Sequence, residues 1–524
     1  MAVAVRRGLP LGATVAVLIA LALAIGVRYG IAVAALLLAG CAAIYLLWYT
    51  EPRYTLTLAL LSTPFASNWQ QLGIPGQLAP ERLLLIAGVA VVLLRGPGIR
   101  DRPKLRLEWV HWSMLAVSLY VAASALVSHT LFVKAPGIQL LETFGILPFL
   151  TFTVAPLAFP TARERATLLK GLVGLGVYLS LTTLFEMAGP KSLVFPSYIL
   201  NPNYGIHYGR GRGPFVEAVS NGFALYACAI ACLIAMRLWH SRGWRIFAAA
   251  VATLCAVGIL LTLERSVWIG AAAGTLVTML AIPSLRRRLV PILLIGVVGG
   301  GLAVALVPGL SEKINERAGD KETVWDRENM YSIAERMIET RPVFGFGWNR
   351  YLENNTPYLR ESASYPLTAT TLDIHNTLLA YGVELGVIGL ALWLLTVFMG
   401  VGGALVTRGP PSLEPWRAGL LGLFIFFAVV QSAVPPSQVF DGLILWLWTG
   451  VVWRARYPDP EPEADGTSMQ TRDAGGTPLD TWDTHDADTE PWPPEASGTW
   501  RQIELGWRRD ADAKWGPDAE PTAG

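Results

Sequence analysis

Apolar runs of about eighteen or more residues, the length that crosses a bilayer as helix, recur along the chain between short polar joints. Read in order, they predict spans near 9–27, 30–49, 54–67, 81–95, 109–128, 138–158, 166–187, 217–236, 245–263, 266–283, 289–308, 376–405, 417–434 and 440–453. The third, fourth and last are short. The expected fold class is an all-α polytopic membrane protein with about 12–14 transmembrane helices.

The pattern breaks in two places. Residues 309–375 form one large polar loop. Within it Val324, Met330, Ile333, Ala334, Met337 and Ile338 recur at helical spacing among Asp326, Arg327, Glu335, Arg336 and Glu339, which predicts an amphipathic helix. Proline stops that pattern at Arg341-Pro342, and Phe344-Gly345-Phe346-Gly347-Trp348 reads as a flexible aromatic turn. The second break follows residue 453. Residues 454–524 are rich in Asp, Glu, Pro, Gly and Thr, lack periodicity and contain scattered tryptophans. They read as a disordered acidic tail, and residues 1–453 as the membrane domain.

Composition agrees, with 53% hydrophobic and 15% charged residues, against about 25% charged in soluble domains. The net charge of +2 is segregated along the chain and so says little about partners; no nucleic-acid partner is expected. Arg6-Arg7 followed by Leu9–Val27 resembles a secretory signal, but the run passes through Arg28-Tyr29-Gly30 into a second span, which predicts an uncleaved first helix. Basic residues then orient the chain. Arg95 to Arg106, Arg163 to Lys170, Arg237 to Arg245, Arg286 to Arg288, and Arg408 with Arg417 all fall on one side of a fourteen-span topology, together with both termini. That side is expected to be the cytoplasm, leaving 68–80, 188–216 and 309–375 outside.

Charge at a membrane edge is costly, so it marks candidate chemistry. Arg265 sits in a tight turn between two apolar runs, either as an interfacial anchor paired with Glu264 or as an anion clamp. Arg210 and Arg212 lie among glycines before a helix, an arrangement that admits an anion closely or simply forms a turn. His375 closes the large loop at the start of the next helix, either as a base or as a solvated capping residue. Asp373 is a candidate for orienting its ring. Gly382 and Gly386 suggest a close helix contact. Cys41, Cys228, Cys232 and Cys255 lie in apolar spans without ligand partners and read as small buried hydrophobes. No nucleotide-binding, serine-hydrolase or zinc-helix motif is present, and no Asp-x-Asp pair stands in an outward loop. No cofactor and no divalent metal are therefore expected.

The ordered set of segments resembles the O-antigen ligase and O-antigen polymerase superfamily over roughly residues 54–453. The likeness rests on Arg210-Gly211-Arg212-Gly213-Pro214-Phe215 with Asn221, on Leu261-Thr262-Leu263-Glu264-Arg265-Ser266-Val267-Trp268, and on Trp325-Asp326-Arg327, Arg341-Pro342-Val343-Phe344-Gly345-Phe346-Gly347, His375-Asn376 and Glu384-Leu385-Gly386. The resemblance implies a metal-independent, inverting glycosyltransferase of the bacterial cytoplasmic membrane. It implies transfer of a glycan from an undecaprenyl-pyrophosphate carrier to a glycan, lipid or protein acceptor at the outer face. His375 matches the catalytic histidine. Arg265, Arg212 (with Arg210 as the competing match) and Arg327 match arginines of the carrier pyrophosphate site and the large loop. The family usually has Ser-Arg where this chain has Glu264-Arg265. A polysaccharide polymerase of the same superfamily is the alternative. From other classes, a lipid or polysaccharide transporter or flippase would require paired repeats that are not seen, and a scaffold protein would make His375 and Arg265 dispensable.

Overall fold

The computed structural model describes residues 50–457, apart from 77–78, 96–104, 283–285, 288–289, 291–299, 302–303, 305–308, 320–321, 362–365, 369 and 435–437. The expected spans at 9–27 and 30–49, most of 289–308, and nearly all of the acidic tail lie outside the described residues. The helices are α1 (Pro52–Ser62), α2 (Pro80–Arg95), α3 (Trp109–Val127), α4 (Lys134–Ala158), α5 (Ala162–Met187), α6 (Ala218–Leu238), α7 (Arg242–Leu261), α8 (Arg265–Ala281), α9 (Leu310–Gly319), α10 (Glu322–Thr340), α11 (Thr377–Val406), α12 (Pro411–Gln431) and α13 (Val439–Trp453). Among the described residues seven of them, α3 to α7, α11 and α12, are long and apolar enough to cross a membrane. The chain is an all-α polytopic membrane protein, and each expected span within the described residues is a helix.

The helix α6 forms the centre. It packs against α5, α7, α8, α12 and α13, and 83% of its apolar window is buried inside the protein. Cys228 and Cys232 of α6 and Cys255 of α7 are fully buried in this core, as small hydrophobes should be. The closest helix approach is α8 on α12. A β-carbon on Gly274 would meet Gly422 O at 2.5 Å and Tyr226 Oη at 2.6 Å.

Two ends can be told apart by their contacts. At one, arginines of the basic loops bond to neighbouring loops: Arg165 to Ser412 Oγ (2.9 Å), Arg417 to Thr407 O (2.8 Å) and Arg456 to Glu108 (2.6 Å). At the other, Asn68 donates to Pro214 O (3.3 Å), Ser67 to Gln438 (3.1 Å), and Thr130 to Trp348 O (3.0 Å). The second end therefore gathers the loops at 63–79, 128–133, 188–217, 341–376 and 432–438.

The large loop is built as expected in one part and differently in another. Its amphipathic helix is α10, whose Ile333, Ala334 and Met337 are buried with Tyr351, Ile374 and Val383. The aromatic turn, expected to be flexible, is instead pinned inside a break in α11. Gly386 has φ 66° and ψ −173°, which interrupts the helix. Phe346 and Gly347 donate their N–H groups to Val383 O (2.9 Å) and Glu384 O (2.8 Å), and Val387 N–H returns to Pro342 O (2.8 Å). Tyr120 Oη donates to Leu385 O (2.7 Å). The Glu384 carboxylate faces the backbone amides of Asn349, Arg350 and Tyr351. Gly386 thus serves a chain crossing rather than the helix–helix contact expected of a Gly382/Gly386 pair. Any β-carbon on it would collide with Val343 O, and its φ favours glycine in any case.

Gly386→Ala should therefore lower thermal stability in detergent by about 2 kcal/mol or more. Gly174→Ala, where a β-carbon meets nothing within 4 Å, should leave the melting midpoint unchanged or slightly raised. Equal melting of the two variants would contradict the interlock.

Candidate functional site

The 188–217 loop follows α5, and Glu186 in the last turn of α5 organises it. Glu186 Oε2 accepts from the backbone N–H of Arg212 and of Gly213, both at 2.9 Å. The Arg212 guanidinium donates to the carbonyls of Tyr204 (2.7 Å), Ile199 (2.7 Å) and Asn201 (3.3 Å), with Nε 3.6 Å from Glu186 Oε1. Its relative exposure is 0%. The Tyr208 ring covers it at 4.9 Å. Asn221 secures the same loop, donating to Gly211 O (3.0 Å) and Thr183 Oγ1 (2.8 Å). This corrects one expectation. Arg212 was expected to meet a phosphate, but its donors are aimed at loop carbonyls that would otherwise be buried without partners, and no face of it is open.

Arg210 is placed differently. Its side chain is 17% exposed and ion-paired with Glu264. His207 Nδ1 lies 3.5 Å from the same Glu264 oxygen. The turn between α7 and α8 brings Glu264 there. Leu263 adopts φ 53°, an uncommon conformation for a non-glycine residue. Trp268 Nε1 donates back to Ile259 O (3.0 Å) across the turn. Glu264 thus faces Arg210 and His207, and Arg265, half-buried, opens α8. The positive end of the α8 dipole lies at Arg265.

His375 is held by backbone on both sides. Its Nδ1 lies 2.7 Å from Asp373 O. A carbonyl oxygen only accepts, so Nδ1 carries the proton and, in the neutral ring, Nε2 keeps the lone pair. The group beside Nδ1 is the backbone carbonyl of Asp373, the residue named from the sequence as a candidate for orienting the ring. Tyr331 Oη of α10 lies 3.3 Å from His375 O and 3.1 Å from Ser432 O. Asn376 caps α11, accepting from Leu378 and Leu379 N–H at 3.0 and 3.1 Å, and donates to Ser432 O (3.3 Å). Thr377 Oγ1 donates to Gln431 Oε1 (2.8 Å). His375 is therefore fastened to the C-terminal end of α12.

Arg265 reaches the same place from the other side. α8 and α12 run antiparallel, since Gly270 faces Phe426 and Val430 while Gly274 faces Gly422. One turn before Gly270, Arg265 stands off the end of α12 to which His375 is tied. Arg327 is half-buried on α10, four residues before Tyr331 and so on the same helical face. Tyr331, His375 and Asn376 meet at Ser432 at the C-terminal end of α12, the neighbouring α8 starts at that end with Arg265, and Glu264 ties Arg210 beside it. Sequence reasoning missed Tyr331, His207 and the structural duties of Glu186 and Glu384. The two glutamates did carry a signal, being acids within or next to apolar spans.

The O-antigen ligase family model matches residues 249–394, a stretch that contains Arg265, Arg327 and His375 together with the interlocked segments at 342–347 and 383–388. No curated protein matches the chain. Over that stretch the chain is similar to the O-antigen ligase family, whose members are glycosyl-transferring membrane proteins.

Proposed function

We propose that this protein transfers a glycan from an undecaprenyl-pyrophosphate carrier to an acceptor hydroxyl, at the outer face of the bacterial cytoplasmic membrane. The observation that carries this reading is the convergence of His375, set in its Nε2-basic tautomer by Asp373 O, with Arg265 and Arg210 at one bundle end. The basic loops gather at the opposite end, which the positive-inside rule assigns to the cytoplasm.

The reaction follows from the groups. His375 Nε2 takes the proton of the acceptor hydroxyl as its oxygen bonds to the anomeric carbon. The bond from that carbon to the phosphate oxygen breaks, and its electron pair leaves with the carrier pyrophosphate. Charge grows on the leaving oxygen, and fixed guanidinium groups stabilise it more in the transition state than before. Arg265, at a helix N-terminus, and Arg210 supply this stabilisation, with Arg327 approaching from α10. Attack opposite the leaving group inverts the anomeric centre. Glu264 keeps Arg210 in place and partly neutralises it while no phosphate is bound. Arg212 acts through the loop it organises. The carrier linkage holds the energy for transfer, so no nucleotide is needed, and the guanidinium groups take the charge-neutralising role that a divalent metal would otherwise have.

Purified protein, a synthetic undecaprenyl-pyrophosphate sugar and release of free carrier provide the assay. His375→Ala and Arg265→Ala should each lower kcat by about 100-fold or more at unchanged melting temperature. Retention of more than a tenth of the activity by either variant would remove it from the chemistry. Arg210→Ala should cost about 10- to 100-fold in kcat/KM with normal stability. Arg212→Ala should cost about 3–5 kcal/mol of stability, because it strands the buried Glu186 carboxylate and several carbonyls; a normally folded but inactive Arg212→Ala protein would return Arg212 to the substrate. Chelator should leave the rate unchanged, and inhibition restored by a divalent cation would refute a metal-free mechanism.

A further inference from the structure

A cavity of about 390 Å³ opens at the same end of the bundle, between the segment after α1, the start of α2, the first half of α4 and the start of α13. Its size falls within the range of small-ligand sites. The polar groups on its wall are Ser67, Arg82, Lys134, Gln139, Glu142, Thr143 and Gln438. Arg82 and Glu142 form an ion pair, which offsets their charges and leaves hydrogen-bonding edges. Ser67 Oγ donates to Gln438 Oε1 (3.1 Å), and Gln438 Nε2 to Glu217 (3.1 Å), so the wall is held in place from behind. Ala66, Ala135 and Ile138 supply short apolar patches between these groups.

That mixture selects a ligand class. An acyl chain favours continuous apolar walls, and a diphosphate favours several unpaired cations. One ion pair, a single further cation at Lys134, planar amides and two hydroxyls, alternating with small apolar patches, suit a sugar ring. Its hydroxyls both donate and accept, and its C–H faces are apolar. The cavity is also wired to the site. Gln139 Oε1 accepts from Asn349 Nδ2 (2.7 Å), and Trp348 Nε1 donates to Pro136 O (3.1 Å), in the segment that interlocks with α11. Ser432 accepts from Asn376, beside His375, and Gln438 lines the cavity. The arginines come from other elements, α8 and the 188–217 loop.

We propose that this cavity is the acceptor saccharide subsite, receiving the sugar ring whose hydroxyl His375 deprotonates. The word acceptor rests on the transferase reading above; the binding of a sugar there does not.

Two measurements on full-length protein in detergent test it separately. In a Cys41→Ser background, Ala135→Cys places a thiol at the cavity, while Cys228, Cys232 and Cys255 are buried. Maleimide labelling is timed with glucose, N-acetylglucosamine, glucuronate or short oligosaccharides, and with inorganic pyrophosphate. At least one sugar should slow labelling about fivefold or more through occupancy, with pyrophosphate inert. Equal labelling in every sugar, or protection by pyrophosphate alone, overturns the assignment. This readout needs no turnover, so an absence of transfer by the wild type would count against the transferase reading only. In the transfer assay Ala135→Trp and Gln139→Ala should raise the acceptor KM about tenfold and leave the donor KM within about twofold. A rise in donor KM with an unchanged acceptor KM overturns the acceptor role.

Discussion

Every backbone N–H and C=O withdrawn from water must find a partner, and in a membrane protein no nearby water makes good a break in a helix. The organisation of this bundle end follows from that constraint. The break at Gly386 frees carbonyls at Val383, Glu384 and Leu385, and they are met by Phe346, Gly347 and Tyr120. The Glu384 carboxylate in turn faces the backbone of Asn349 to Tyr351. A long polar loop is thereby stitched into a transmembrane helix, and His375, at the end of that loop, inherits a fixed position. Arg212 and Glu186 solve the same problem in the 188–217 loop, with a guanidinium answering stranded carbonyls and a carboxylate answering stranded amides.

Charge is divided between these two tasks. Arg212 and Glu384 are spent on backbone and leave the candidate chemistry to neighbours. Arg210, two residues from Arg212, turns the other way and meets Glu264. The family usually has serine before the arginine of the α8 turn; the glutamate here lies against Arg210 and His207, so the acid tempers one cation more than the other. The same separation marks the cavity near α4, where Arg82 and Glu142 offset each other.

Much of this was legible in the sequence, for identifiable reasons. Apolar run length located the helices, because a bilayer demands about twenty residues from any helix that crosses it. The 3.6-residue period of Val324 to Ile338 gave α10, and its apolar stripe gave the buried face. Basic loops sorted the two ends. What was not legible was the direction of individual side chains and the meeting of distant segments. Arg210 and Arg212 are equivalent in a linear reading, and only the fold shows which one the loop encloses. The glycines of 345–347 suggested flexibility, whereas they permit close backbone approach to α11. Gly386 looked like a packing residue because four-residue spacing from Gly382 is the pattern of helix contacts, and a positive φ cannot be read from spacing. Asp373 was a candidate for orienting His375, but that its backbone carbonyl would meet the ring could not be read from the sequence.

The stitching between 342–347 and 383–388 also bears on how such a protein changes over generations. Its hydrogen bonds fix the two segments against each other whatever the length of chain that runs out and back between them. Insertions and deletions in that excursion are tolerated far more readily than any change of register at the seam, where a new side chain at one strand of contact requires a matching change at the other. The seam thus holds independently of the length of that excursion, while its residues His375 and Asn376 stay tied to the end of α12.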